Sequence, residues 1–516
     1  MTRLRPPSFS SVLSLMFIPR HMCATATPRW SLDVRGLGAI AHSFRGVDSI
    51  DAFERTVLGM YGRSATNLSL QMLRRSMAKD FSPDAANVFW KHQLPTIVDW
   101  ASRVEELFLP SSRIPYLTGV LSDDGCNPKA FPGQCISNTK FDDGFIQSVS
   151  FTRAQISSLL CQAFLCTIPG RDRIDELPGF SPFSFLPLFS RPYEPYMSAK
   201  LKILFAFFSE LPKPELALTR SSWLFNDSCD PALHFWRRVV AAPPNWTDEG
   251  LALPRFSVDW QEGVEDCADS VQVGMSNRYP GGAPGGVLST GKMQEPVFFA
   301  ERPELLVALL ISPALRANEA LVVSGARQFG AGAGIGEGLR AVAGGASPSQ
   351  RDRAATQDLM QVDALDYRDP QTVDEFSRAA VDRELLKLYA GHSGATLRSP
   401  LTARKKLAAS GNWCCDAFGG DPQLKAVLQL IAGGGARLDT LQLYPNAYPF
   451  MRTNKSELPP LHLPQRVSTV GGLYRALLAF IDMPGSSASK RGQLFEYLAS
   501  VTAFDPSAEE VIVIFQ

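Results

Sequence analysis

Apolar positions recur at helical spacing over 90–110, 151–167 and 198–211, and these stretches predict helices. Pro95 marks the start of the first. Thr152 is placed to cap the second, where Ile156, Leu159, Leu160, Ala163 and Phe164 share one face. Further on the pattern changes. Short apolar runs over 271–275, 319–324, 359–365, 438–444 and 510–515 predict strands, and 303–315, 373–390, 422–432, 473–481 and 492–502 predict helices between and after them. The run EALVVS at 319–324 reads as a buried strand of the parallel type. Strands alternating with helices imply an α/β sheet with covered faces. Gly, Asp, Asn and Pro make 123–145 a predicted loop, and the polar stretch 343–355 an exposed excursion.

Length and charge narrow the function. A chain of 516 residues has room for two to four domains and a large core. Fifty-one basic residues against fifty-one acidic ones leave no global field to attract nucleic acid or a membrane surface. No apolar run reaches the roughly 18 to 20 residues of a membrane span. Nine cysteines without a repeated spacing suggest neither a disulfide framework nor a zinc site, so a reducing compartment is expected, with no metal and no cofactor. The first 32 residues lack Asp and Glu but carry Arg3, Arg5, Arg20 and Arg29 among serines. That composition fits an organellar transit peptide, and equally a disordered tail.

Two glycine-rich regions hold the candidate chemistry. After the strand 271–275 come Ser276, Asn277 and a loop with Gly281, Gly282, Gly285 and Gly286, then Gln294-Glu295 at the head of a helix. Dense glycines let successive backbone N–H groups approach an anion such as a diphosphate, although a plain surface loop has the same composition. The second region, 410–421, reads SGNWCCDAFGGD and runs into the helix 422–432. It presents N–H groups at a helix N-terminus, where a phosphate gains from free donors and the dipole. Asp421 suits a helix cap better than chemistry. Phe418 can stack on a sugar or base, or pack in the core. The string Gly330, Gly332, Gly334, Gly336 and Gly338 fits neither the dinucleotide nor the P-loop spacing.

Taken in order, Glu265-Asp266, Gln272-Val273, Ser276-Asn277-Arg278-Tyr279, Gly281-Gly282, Gln294-Glu295 and the loop from Asn412 to Phe418 resemble the poly(ADP-ribose) glycohydrolase family. The likeness begins near Leu94 and continues almost to the C-terminus. It implies a macrodomain-like mixed sheet flanked by helices, preceded by a mainly helical accessory domain. The corresponding boundaries are an N-terminal extension over 1–80, targeting or disordered, a helical domain over 81–235 and a catalytic domain over 236–516. It further implies hydrolysis of ribose–ribose bonds in poly(ADP-ribose) to release ADP-ribose, in the nucleus or cytoplasm and as part of the response to DNA damage. Poly(ADP-ribosyl)ated proteins are the implied partners, without direct contact to nucleic acid or membrane.

By the same resemblance Glu295 is the surviving catalytic acid. Val264, Glu265, Asn277, Gln294, Asn412, Trp413, Cys414, Cys415, Asp416, Ala417 and Phe418 form the substrate-binding set, with Glu265 reading adenine. Three positions depart from the family pattern. Pro296 stands where Gln-Glu-Glu has its second Glu, Gly274 where the family has an Asp, and Ile335 where it has a Tyr. Glu301 lies about a turn and a half beyond Glu295 and is a weaker substitute. Two readings follow: a glycohydrolase built on Glu295, or a pseudoenzyme that binds ADP-ribose or its polymer without cutting it.

Overall fold

In a computed structural model the described residues are 31–61, 68–121, 133–168, 170, 179–214, 232–282, 286–369, 373–397, 407–415, 417–445, 463–464, 468–500 and 510–511. The proposed targeting segment at the N-terminus therefore lies almost wholly outside them.

The frame is a nine-stranded mixed sheet. Its strands are β1 (Ser137–Phe141), β2 (Gly144–Phe151), β3 (Leu233–Val240), β4 (Arg255–Val258), β5 (Val271–Ser276), β6 (Glu319–Ser324), β7 (Asp358–Asp363), β8 (Leu407–Ser410) and β9 (Thr440–Leu443). Their spatial order is β1-β2-β3-β6-β7-β5-β8-β9-β4. The run from β7 to β4 is parallel, and the pairs from β1 to β7 are antiparallel. Period-two alternation sends neighbouring side chains to opposite faces. Phe235, Leu321, Val323 and Leu359 join the core on one side, while Trp236, Val322, Met360 and Val273 join the core on the other.

Helices cover both faces. On the first lie α1 (Arg153–Phe164), α2 (Pro195–Glu210) and α3 (Gln294–Glu301), among an aromatic cluster centred on Phe164. Thr152 and Gln155 close a reciprocal capping box at the start of α1, satisfying two backbone donors. On the second face lie α4 (Arg378–Leu397), α5 (Pro422–Gly435) and α6 (Val470–Ile481). Asp421 caps α5 through Leu424 N–H at 2.8 Å, as its position suggested.

Several expectations are corrected. The extension assigned to 1–80 is not an extension over its described part: helices Leu37–Ala41, Ile50–Tyr61 and Gln71–Lys79 bury Leu37, Phe53, Val57, Met72 and Leu73 in the helical core. The helical region is also not cut from the sheet at 235, because β1 and β2 extend the sheet and β3 crosses that point. The predicted loop over 123–145 contains β1 and the turn into β2. There Asp142, Asp143 and Gly144 are hairpin residues, so their polarity belongs to a turn between strands. β6 is buried on both sides but runs antiparallel to both neighbours. The stretch 343–355 ends in a helix, Pro348–Ala355, with its own capping box from Ser347 and Gln350. Cys135 is disulfide-bonded, while Cys161, Cys166, Cys267, Cys414 and Cys415 are not.

Candidate active site

Strand β5 presents Gln272, Gly274 and Ser276 to the face that carries α3. There a small pocket, partly open to solvent, lies between the strand and the helix. Its lining includes Val264, Gly274, Ser276, Gln294, Glu295 and Phe298. The turn Val264–Asp266 closes one side. Val264 and Cys267 pack with Ala409 and Tyr444, and the Gln272 side-chain amide donates to Val264 O at 2.9 Å. Arg302 follows α3 and braces this turn from below. It donates to Gln272 Oε1 at 3.1 Å and to Gln357 Oε1 at 2.8 Å, and Gln357 Nε2 donates to the carbonyls of Glu265 and Cys267.

Glu295 stands in the first turn of α3 and is 8% exposed. Its Oε2 accepts from Asn277 N–H at 2.8 Å, and its Oε1 accepts from Gly281 N–H at 3.0 Å and Gln361 Nε2 at 2.8 Å. One carboxyl thus ties the end of β5, the glycine loop and the neighbouring strand β7. Gly281 has φ 79° and Gly282 φ 107°, a left-handed backbone that glycine adopts without strain and that aims the Gly281 N–H at Glu295. Burial pushes the Glu295 carboxyl up to about 8 against the pull of the backbone N–H groups of Asn277, Gly281 and Gly282. At neutral pH it holds its proton.

The glycine loop is held from the helical region by Lys200 of α2. This fully buried ammonium donates to Ser289 O at 2.5 Å and Gly291 O at 2.6 Å. Burial without a carboxylate partner lowers its pKa to about 7. At the far end of α3, Glu301 Oε1 accepts from Gly332 N–H at 2.7 Å, so the proposed substitute acid is committed to the second glycine string. Burial raises Glu301 to about 7 and Glu265 to about 6.

The loop after β8 leaves the same end of the sheet, since the neighbouring parallel strands β5, β7 and β8 all run toward it and finish at Ser276, Asp363 and Ser410. Open parallel sheets place ligands outside these carboxyl ends. Asn412 reaches Pro445 O at 3.4 Å, and its Oδ1 is buried with no partner among the described residues. Cys414 takes φ 57°, its thiol buried and raised to about 12. Cys415 and Phe418 are half-buried and Ala417 exposed, while Asp416 lies outside the described residues. Phe418 packs against the core of the second face and its carbonyl accepts from Tyr367 N–H at 2.8 Å.

Trp413 is fully buried, its indole N–H donating to Val362 O at 3.1 Å, so its ring supports the loop from within. Tyr444 likewise packs inside the fold. Glu265 keeps one buried oxygen, Oε2, without a partner among the described residues. Arg302, Gln357, Gln361 and Lys200 were not anticipated. For Gln361 a signal existed, a lone amide in the middle of the apolar run LMQVDAL.

These charges fix a pH dependence. As pH rises from about 6 to 9, Glu265, Glu301 and Glu295 gain negative charge and Lys200 loses positive charge. All four changes disfavour a diphosphate. Affinity for ADP-ribose, measured by calorimetry, is therefore expected to fall across this range; an affinity that rises or stays level contradicts the charge assignment.

Comparison with known proteins points to one family. A family model described as the macro domain fold of poly(ADP-ribose) glycohydrolase matches residues 243–446, and one described as the helical domain of the same enzyme matches 81–219. Similar proteins include a probable poly(ADP-ribose) glycohydrolase 2 of Arabidopsis thaliana, 25% identical over 329 residues, covering 55% of this chain and 60% of its own. Poly(ADP-ribose) glycohydrolase 1 of that plant is 26% identical over 370 residues, covering 57% and 63%. Poly(ADP-ribose) glycohydrolase 1 of Caenorhabditis elegans is 27% identical over 311 residues, covering 57% and 35%. The matched region thus spans less than two thirds of each relative.

Proposed function

The chain belongs to the poly(ADP-ribose) glycohydrolase family, and from that premise we propose that it hydrolyses ribose–ribose bonds of poly(ADP-ribose), with Glu295 as its acid. The observation that carries this reading is a buried Glu295 carboxyl beside a pocket, protonated at neutral pH and oriented by three donors.

In the proposed reaction the bond between the anomeric carbon and the departing ribose oxygen breaks as positive charge builds on that carbon. Glu295 transfers its proton to the departing oxygen, and water adds to the carbon. The proton released by the water returns to the carboxylate. General acid catalysis of this kind contributes roughly 10²- to 10⁴-fold. The loop after Asn412 supplies N–H groups for the diphosphate, and Glu265 its unpartnered oxygen for the base.

A second reading, a module that binds ADP-ribose or polymer without turnover, rests on Gly274 and Pro296. A Cβ at Gly274 would lie 2.6 Å from Ser276 Oγ and 3.1 Å from Met360 O, so the site has closed over the absent Asp. The Pro296 ring fills space beside Gly282 and Gly291. The deciding experiment compares ADP-ribose release from purified poly(ADP-ribose) by this protein and by Glu295→Gln. Release that disappears in the variant supports the glycohydrolase. A folded wild type that binds ADP-ribose but releases none supports the binding module.

A further inference from the structure

We propose that Gln361 is a positioning residue that confines the proton of Glu295 to Oε2, the oxygen left free to donate into the pocket. The inference rests on the reading of Glu295 as the acid. A carboxyl oxygen has two in-plane lone pairs. Those of Oε1 are both taken, by Gly281 N–H at 3.0 Å and Gln361 Nε2 at 2.8 Å. Oε2 accepts from Asn277 N–H at 2.8 Å, while the Gly282 N–H, which also draws on the carboxyl, makes its hydrogen bond to Tyr279 O at 3.1 Å. Among the described residues one lone pair remains, and it belongs to Oε2.

The sheet register makes this possible. Gln361 of β7 lies opposite Gly274 of β5 in a parallel pair, so both point to the α3 face. With no side chain at 274, the longer Gln361 reaches Glu295 across the position where the family carries a carboxylate. Gln361 is 1% exposed, and its own Oε1 finds no partner among the described residues. The fold therefore bears an unsatisfied amide oxygen, a cost that a residue kept only for packing would avoid through Leu or Met. The other charged group acting on Glu295 is Asp363 of the same strand, itself neutralised by Lys387 at 2.6 Å and by Arg383 at 2.5 Å.

The test is a carbon-13 titration of glutamate side-chain carboxyls in the full chain, with the Glu295 signal identified by its loss in Glu295→Gln. In Gln361→Leu the lost donor no longer favours the anion, and Glu295 is expected to become about tenfold weaker as an acid. Gln361→Glu, which keeps the shape, is expected to give two coupled steps from a carboxyl pair sharing one proton. Where the protein turns over, kcat of Gln361→Leu should fall with KM unchanged. A Glu295 midpoint unmoved in both variants overturns the proposal, as does a raised KM with unchanged kcat. A wild type without turnover would remove the glycohydrolase reading yet leave the titration able to decide the role of Gln361.

Discussion

Pro296→Glu is expected to raise ADP-ribose release by about 100-fold, within the range of a positioned general acid. The backbone tolerates the change. Pro296 is the third residue of α3, where helical N–H groups lack intrahelical acceptors, and the nearest candidate, Lys292 O, already accepts from Gly336 N–H at 2.7 Å. The ring of Pro296 lies against the glycine loop, 3.2 Å from where a Cβ on Gly282 would stand. A glutamate there starts at the loop's edge, beside the pocket. Two adjacent buried carboxyls cannot both ionise, so Glu295 and the new side chain would divide one proton and supply an acid and a base together. Polymer digestion followed by chromatography of free ADP-ribose reads the effect. No gain, in a variant that still binds ADP-ribose, would mean that the missing second Glu does not limit this protein.

Glu384→Gln should produce the largest loss of stability, about 3–5 kcal/mol by urea unfolding. Glu384 is 1% exposed in its side chain and accepts from Lys425 Nζ, Tyr367 O–H and Arg383 Nη1, each at 2.8 Å, and from Leu365 N–H at 2.9 Å. Neutralising it strands the buried Lys425 cation, whereas Arg383 keeps its pairing with Asp363. Lys425 sits 4.4 Å from the Trp413 ring, so the damage passes into the loop that follows Asn412, and ADP-ribose affinity should fall as well. Adding Lys425→Met should recover part of the stability, because the orphaned charge is then removed. Burial opposes ionisation of Glu384, yet Lys425 and Arg383 prevail and hold its pKa below the usual range. This contribution is present above the ordinary Glu pKa and is lost as pH falls through the depressed one, opposite in sign to the raised site carboxyls. Stability unchanged in Glu384→Gln would show that the network does not hold the loop.

Much of the site could be read along the chain because its parts are local. The caps Thr152 and Asp421 are short-range side-chain to backbone bonds. Asn277, Gly281 and Glu295 lie within one strand–loop–helix unit, and they are part of the ordered set of motifs that carries the resemblance to the family. The role of Glu301 was harder, since its distance along the helix was legible but its commitment to Gly332 N–H depends on a loop that returns from β6. The antiparallel direction of β6 was equally hidden. A strand buried on both faces reads as uniformly apolar whichever way it runs, and its direction is set by the neighbours it pairs with.

The sequence by itself determined the alternation of strands and helices and the two glycine-rich regions, and it carries the resemblance to the family. The first two are properties of spacing and residue type. Only the tertiary structure decided that Glu295 is buried and holds its proton, that Trp413 faces inward, and that Gln361 and Lys200 serve the site from a neighbouring strand and from the helical region. Desolvation and hydrogen bonding depend on which atoms surround a group. In this protein Gln361 and Lys200 bring those atoms from 66 and 91 residues away in the chain.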